Sequence, residues 1–124
     1  MKNRTSRKAG FTLVEIMIVV AIIGLLAAIA IPNFVRARTQ SQMNACINNL
    51  RQIDGAIQQW ALEQKKDPAA TVAFTDIAPY LKNSVICPSG GTAFSDSYTI
   101  TDVATKPVCK KVAATHVLPP DTST

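Results

Sequence analysis

Residues 16–31 form a run of sixteen positions without a charge, preceded by one acid, Glu15, and by a leader whose charges are Lys2, Arg4, Arg7 and Lys8. Between residues 11 and 35 Glu15 is the only charge, and the stretch is long enough to cross a bilayer as one helix. The basic leader stays cytoplasmic by the positive-inside rule, so the chain beyond Pro32 lies outside. A secretory signal peptide with Ala28-Ile29-Ala30 as its cleavage site is one rival reading, and a plain single-pass anchor is another. Neither has a use for Glu15. An acid costs about 2.5–3.5 kcal/mol at the centre of a membrane helix and less near the interface. An ionisable group retained there reads as functional by default.

The junction Gly10-Phe11-Thr12-Leu13-Val14-Glu15, continuing through Gly24 to Ala30-Ile31-Pro32, resembles the processing site and N-terminal helix of type IV prepilins and type II secretion pseudopilins. The likeness is close over residues 8–38 and looser to Trp60, and the chain departs from the common pattern at none of the motif positions. The resemblance implies a membrane-embedded prepilin peptidase that cuts between Gly10 and Phe11 and methylates the new amino group of Phe11. Gly10, with no side chain, suits an extended backbone in a tight protease groove. After cleavage the Phe11 amine would open a helix, with Glu15 four residues on along the same face. A carboxylate in the first turn also suits the positive end of the helix. In an assembling filament Glu15 of one subunit would pair with the Phe11 amine of another and set the axial register, since unpaired charges in hydrocarbon are costly. The plainer alternative is an intramolecular pair that neutralises the monomer.

Pro32 has no amide hydrogen and clashes with the carbonyl of Ala28, so the helix is expected to kink or loosen there, unless it is an ordinary tolerated membrane proline. The resemblance adds that pilins in filaments often lose helix between the positions of Gly24 and Pro32.

Beyond Pro32 the pattern becomes amphipathic. Met43, Cys46, Leu50, Ile53, Ile57 and Trp60 recur at spacings of three and four, widened by Ile47 and Ala61. Asn44, Asn48, Asn49, Arg51, Gln52, Gln58 and Gln59 occupy the opposite face. One helix is expected over residues 11–63, on the order of 80 Å long. Its stripe serves as core for a small domain, and Gly55, which costs about 1 kcal/mol of helix propensity, is expected to mark close packing. Asp67-Pro68 ends the helix. Residues 75–82 read as a short helical segment capped by Thr75. Residues 93–100 and 105–112 read as strands joined by 101–104, with a further extended piece at 116–118. Pro107 marks an edge strand. Ser89-Gly90-Gly91 is a turn, too short for a phosphate loop.

The expected fold class is α+β, a long N-terminal helix packed by its second half on a small antiparallel sheet. The divisions are a cleaved leader (1–10), a hydrophobic helix half (11–35), an amphipathic half (36–64) and a small β domain (65–124). About 55 residues in that last part cannot hold a fold alone, and the helix stripe would supply the missing core.

The chain has three cysteines. Outside the cytoplasm an odd count suggests one pair and one leftover thiol. Cys87 with Cys109 is the favoured pair, worth about 3 kcal/mol in the chain-entropy account, and the resemblance to pilins with a C-terminal disulfide-bounded loop points the same way. Cys46, on the apolar stripe, is then a small core residue. Pairing of Cys46 with Cys87 or Cys109 is the competing connectivity.

The net charge of +5 is concentrated in the leader. With its four basic residues removed, nine basic side chains face eight acidic ones, so nucleic-acid binding is not expected of the mature chain. Lys106, Lys110 and Lys111 read as a small basic patch or a solvated strand edge. His116, the single histidine, has no acid or cysteine at ligand spacing along the chain, so no metal site is expected. No serine sits in a nucleophile elbow. Neither catalytic residues nor a cofactor is expected, and an enzyme is not. The resemblance implies as partners copies of the chain in a helical filament, the inner membrane, the prepilin peptidase, an assembly platform protein and a separate motor ATPase. Pilus and secretion pseudopilus suit the sequence about equally, and a membrane-anchored periplasmic domain that never assembles is the alternative of another class.

Overall fold

The computed structural model describes residues 10–119, so most of the expected leader lies outside the described residues. The element order is a helix α1 (Leu13–Glu63), a short helix α2 (Phe74–Ile77), a 3-10 turn (Ala78–Tyr80), a short helix α3 (Phe94–Ser97), and strands β1 (Tyr98–Thr99) and β2 (Val108–Cys109). The chain divides into two compact units, Met1–Ala37 and Arg38–Thr124.

In the first unit the apolar side chains of α1 have no protein to pack on. Leu13, Val14, Met17, Ile23, Leu25 and Phe34 are all more than half exposed. This is a helix long and apolar enough to cross a membrane. Pro32 lies inside α1, which stays helical on both sides of it.

The second unit is built on the amphipathic half of α1. Cys46, Leu50, Ile53, Ala56, Ile57, Trp60 and Ala61 are buried, with Val72, Ile77, Val85, Cys87, Tyr98, Val103 and Cys109 opposite them. The expected stripe is thus the core, with Met43 and Ile47 at its half-buried margin and Ala56 added to it. Two residues assigned to the polar face serve the core instead. The Asn49 amide donates to the Ile86 carbonyl and to the Tyr98 hydroxyl, both at 3.0 Å, and Gln58 donates to the Val103 carbonyl at 3.0 Å. Long polar side chains at the edge of the stripe satisfy loop carbonyls that no sheet partner reaches.

Gly55 does not mark close packing. It is exposed, and a Cβ built there meets nothing within 4 Å. Gly55→Ala is therefore expected to stabilise the second unit by about 0.5–1 kcal/mol through the unfolded chain's entropy. Thermal unfolding of the detergent-solubilised chain checks this, and a lower midpoint would mean that the glycine is needed.

The helix ends at Glu63, as expected, ahead of Asp67-Pro68. Lys65 adopts φ 53°, and the Lys66 amide donates to the Ala61 carbonyl at 2.9 Å, the closure of a Schellman motif. Residues 68–72 then run antiparallel to 101–104, with Val72 donating to Thr101, Val103 to Ala70 and Ala104 to Pro68.

The sheet is smaller than the sequence suggests. Tyr98 pairs with Cys109 and Thr99 with Val108, two residues a side, and no strand forms at 116–118. Residues 94–97 are a helical turn because the Asp96 carboxylate accepts from the amides of Thr92 and Ala93 and from the hydroxyls of Thr92 and Ser97. That network holds the Asp96 carboxyl well below the usual carboxylate range, the Ala93 amide being the largest cause. The same device closes α2, where Asp76 accepts from the Ala73 amide, so Ala73 rather than Thr75 stands at the cap position. Side-chain-to-backbone bonds of this kind compete with strand pairing.

Candidate functional site

Two places in the chain carry chemistry, one in each unit. The first is the start of α1. Gly10 is exposed and Phe11 is 86% exposed, so the junction between them is open on the surface. Helix begins two residues later. The Thr12 carbonyl accepts the first helical hydrogen bond from the Ile16 amide. The Thr12 hydroxyl accepts from the Glu15 amide at 3.3 Å, and the Glu15 carboxylate accepts from the Thr12 amide at 3.2 Å. These reciprocal bonds are a capping box, which satisfies two of the amides that every helix start leaves bare. The spacing Thr12-Leu13-Val14-Glu15 ahead of an apolar run was the available signal for it, and reading Glu15 by its charge alone passes over it. In the uncleaved chain the Glu15 carboxylate thus has a local partner that needs no free amine.

The second place is a buried cluster on the other unit. Cys46 of α1, Cys87, Cys109 of β2 and His116 are all buried, and their ligand atoms lie within 4.8 Å of one another. Cys46 Sγ is 3.9 Å from Cys87 Sγ, Cys87 Sγ is 3.6 Å from Cys109 Sγ, and Cys109 Sγ is 4.0 Å from His116 Nδ1. The three cysteines are free thiols, so the expected Cys87–Cys109 bridge is not shown, although the pair is adjacent. His116 has no cysteine at ligand spacing along the chain, yet folding brings three of them to it.

Local structure presents each sulfur. Cys87 opens the turn Cys87-Pro88-Ser89-Gly90-Gly91, closed by the Gly91 amide on the Cys87 carbonyl at 2.9 Å. Gly90 sits at φ +102°, and a Cβ on Gly91 would come 2.9 Å from the Cys87 amide nitrogen and 2.1 Å from the Ser97 hydroxyl. Both glycines are therefore required by the turn. The Tyr98 hydroxyl, held by Asn49, lies 3.7 Å from Cys46 Sγ.

Burial pushes the Cys46 thiol up to about 12 and raises that of Cys87. At Cys109 burial acts the same way but is outweighed by the Val112 amide, the neighbouring thiols and the Lys111 amide, so its pKa falls below the ordinary value. Burial lowers the pKa of His116 and keeps the imidazole neutral. Of the three lysines read as a patch, Lys110 donates to the Ser95 carbonyl, Lys111 pairs with Asp96 at 3.5 Å, and Lys106 donates to the Pro119 carbonyl at 3.1 Å. They act as local ties.

The family model of the prokaryotic N-terminal methylation motif matches residues 5–31. The chain is 37% identical over 94 residues to the type IV major fimbrial protein FimA of Dichelobacter nodosus, covering 76% of this chain and 55% of that protein. It is 58% identical over 45 residues to the type IV major pilin protein PilA of Myxococcus xanthus, covering 36% of this chain and 20% of that protein. It is 30% identical over 91 residues to the type II secretion system core protein G of Klebsiella pneumoniae, covering 68% of this chain and 63% of that protein. The chain thus spans between a fifth and under two thirds of the length of these relatives. No solved structure matches it. The chain carries the N-terminal methylation motif, which leads into a long helix that is first apolar and then packed on a small antiparallel sheet, and it is similar to type IV pilins and to a type II secretion core protein.

Proposed function

We propose that this chain is the precursor of a structural subunit that polymerises into a type IV pilus-like filament. The observation that carries the reading is the methylation motif over residues 5–31, which runs through the exposed Gly10–Phe11 junction into an unpartnered apolar helix. A prepilin peptidase cuts after Gly10 and methylates the Phe11 amine. The subunit waits in the inner membrane, its apolar half in lipid. A motor ATPase working through an assembly platform protein then moves it into an extracellular or periplasmic filament, where the same apolar half is buried among its neighbours.

Cleavage leaves a positive amine one residue ahead of the capping box, within the reach of charge from Glu15. The carboxylate then has two calls on it, the Thr12 amide and a charged amine. Pairing with the amine of a neighbouring subunit satisfies both charges in a medium where neither is tolerated alone. Pro32 has no amide to give the Ala28 carbonyl, so one helical hydrogen bond is missing between Gly24 and Pro32. Loss of helix there in the filament would lengthen the subunit.

The similarity to a secretion system core protein, which extends over 68% of this chain, favours one second reading, a major pseudopilin of a type II secretion system. Mass spectrometry of the N-terminus of the protein extracted from its native membrane tests the processing common to both. The expected chain starts at methylated Phe11. A chain that keeps Met1 would leave a non-assembling anchor, and one starting near Ile31 would make it a secreted domain.

A further inference from the structure

We propose that Cys46, Cys87, Cys109 and His116 form a structural zinc site, with three thiolate ligands and one imidazole, that clamps the small domain onto α1. The proposal stands apart from filament assembly and rests on the geometry of the cluster alone.

A tetrahedral zinc ion with Zn–S bonds of about 2.3 Å places its ligand atoms about 3.8 Å apart. The separations along the cluster are 3.9, 3.6 and 4.0 Å, and all four ligand atoms fall within 4.8 Å. Four ligands converge at one point with the spacing of tetrahedron edges, and small inward adjustments complete the shell. Three soft sulfurs and a nitrogen select zinc over calcium or magnesium, which take oxygen. A closed set of four protein ligands, every one buried, is the mark of a structural rather than a catalytic site.

The surroundings supply what thiolate ligands need. Sulfur that carries charge in an apolar interior needs polar neighbours, and the Tyr98 hydroxyl, held by Asn49 at 3.0 Å, lies 3.7 Å from Cys46 Sγ. The turn at Cys87 tolerates neither Gly90 nor Gly91 being replaced, so the backbone there is shaped around the sulfur.

A disulfide accounts for less. A Cys87–Cys109 bond joins two of the four groups and leaves Cys46 as a buried thiol against it, with His116 unexplained. Zinc uses all four and ties together four segments that secondary structure barely connects, since the sheet holds two residues a side. A domain this small commonly needs such a staple.

The test uses the full chain, extracted in detergent and purified without chelator, as obtained and after one equivalent of Zn2+ is added to the reduced protein. We expect one zinc per chain by elemental analysis. The three cysteines should resist alkylation until a chelator is present. The Co2+-loaded protein should show thiolate-to-metal charge transfer and the intense visible bands of a tetrahedral site. His116→Ala is expected to weaken zinc binding by at least about tenfold and to alter the cobalt spectrum, and it removes no sulfur. A Cys87–Cys109 disulfide in protein that holds no metal would overturn the proposal. So would a reduced protein that takes up no zinc, or zinc bound without the cobalt thiolate signature, which marks an adventitious ion.

Discussion

Glu15→Ala is expected to leave membrane insertion and cleavage after Gly10 intact and to abolish filaments. The substitution makes the apolar segment more apolar, so insertion does not suffer. Gly10 and the basic leader, which the peptidase would meet, are unchanged. One end of the capping box is lost, since the Thr12 amide no longer has the Glu15 carboxylate at 3.2 Å. A cap of this kind is worth about 1 kcal/mol, which frays one turn of a 51-residue helix but does not unfold it. The larger loss falls in the filament, where a methylated amine would be buried in an apolar core without its counter-charge, at a cost of about 3–5 kcal/mol per subunit. A filament repeats that cost at every subunit. Electron microscopy of sheared surface fractions, with the membrane pool of cleaved subunit as control, gives the answer, and normal filaments from Glu15→Ala would remove the intermolecular pair. Glu15→Gln separates the two roles, because an amide oxygen still caps the helix but carries no charge.

Ile57→Ala is expected to destabilise the small domain by about 2–5 kcal/mol, a large share of what so small a unit has to spare. Ile57 has no exposed surface and lies at the centre of the buried stripe, among Ile53, Trp60 and the side chains of the small domain. Truncation leaves a cavity that the helix cannot close by shifting, because the same helix is held by Asn49 and Gln58 on loop carbonyls. Leu62→Ala is the control, five residues on in the same helix but 80% exposed, and it should change stability by less than about 0.5 kcal/mol. Urea unfolding of the solubilised chain, followed by the fluorescence of the buried Trp60, separates the second unit from the first, since the membrane half is held by detergent. Equal effects from the two substitutions would mean that the stripe is not the core.

Much of the architecture is written in short-range pattern. The switch from apolar all round to apolar at every third and fourth residue marks where the exposed apolar half of α1 gives way to the half that carries the core. The stripe anticipated nearly all the buried residues of α1, and Ala56 escaped because alanine is ambiguous on any face. The strands were less legible. Residues 93–100 have strand composition, but Asp96 draws in the amides of Thr92 and Ala93 and folds half the segment into a helical turn. The helix end at Glu63 was legible, but the device that makes it was not, because a lysine in the left-handed region carries no mark of it in the sequence.

By itself the sequence determined what depends on neighbours a few positions apart. That covers the methylation motif, the acid at the third helical position, the length and polarity of α1 and the face it turns to the domain. Each arises from steric and hydrogen-bond rules acting within one or two turns, so a local window contains the cause. Only the tertiary structure decided the company of the cysteines. Cys46 and Cys87 stand 41 positions apart, Cys87 and Cys109 22, and Cys109 and His116 seven, with no shared period. Their meeting follows from where the helix stripe, the turn at Gly90 and the single pair of strands come to rest against one another. Spacing along the chain carries no record of distances set by packing, and so a cluster of three thiols and an imidazole read as a possible bridge, a leftover thiol and an idle histidine.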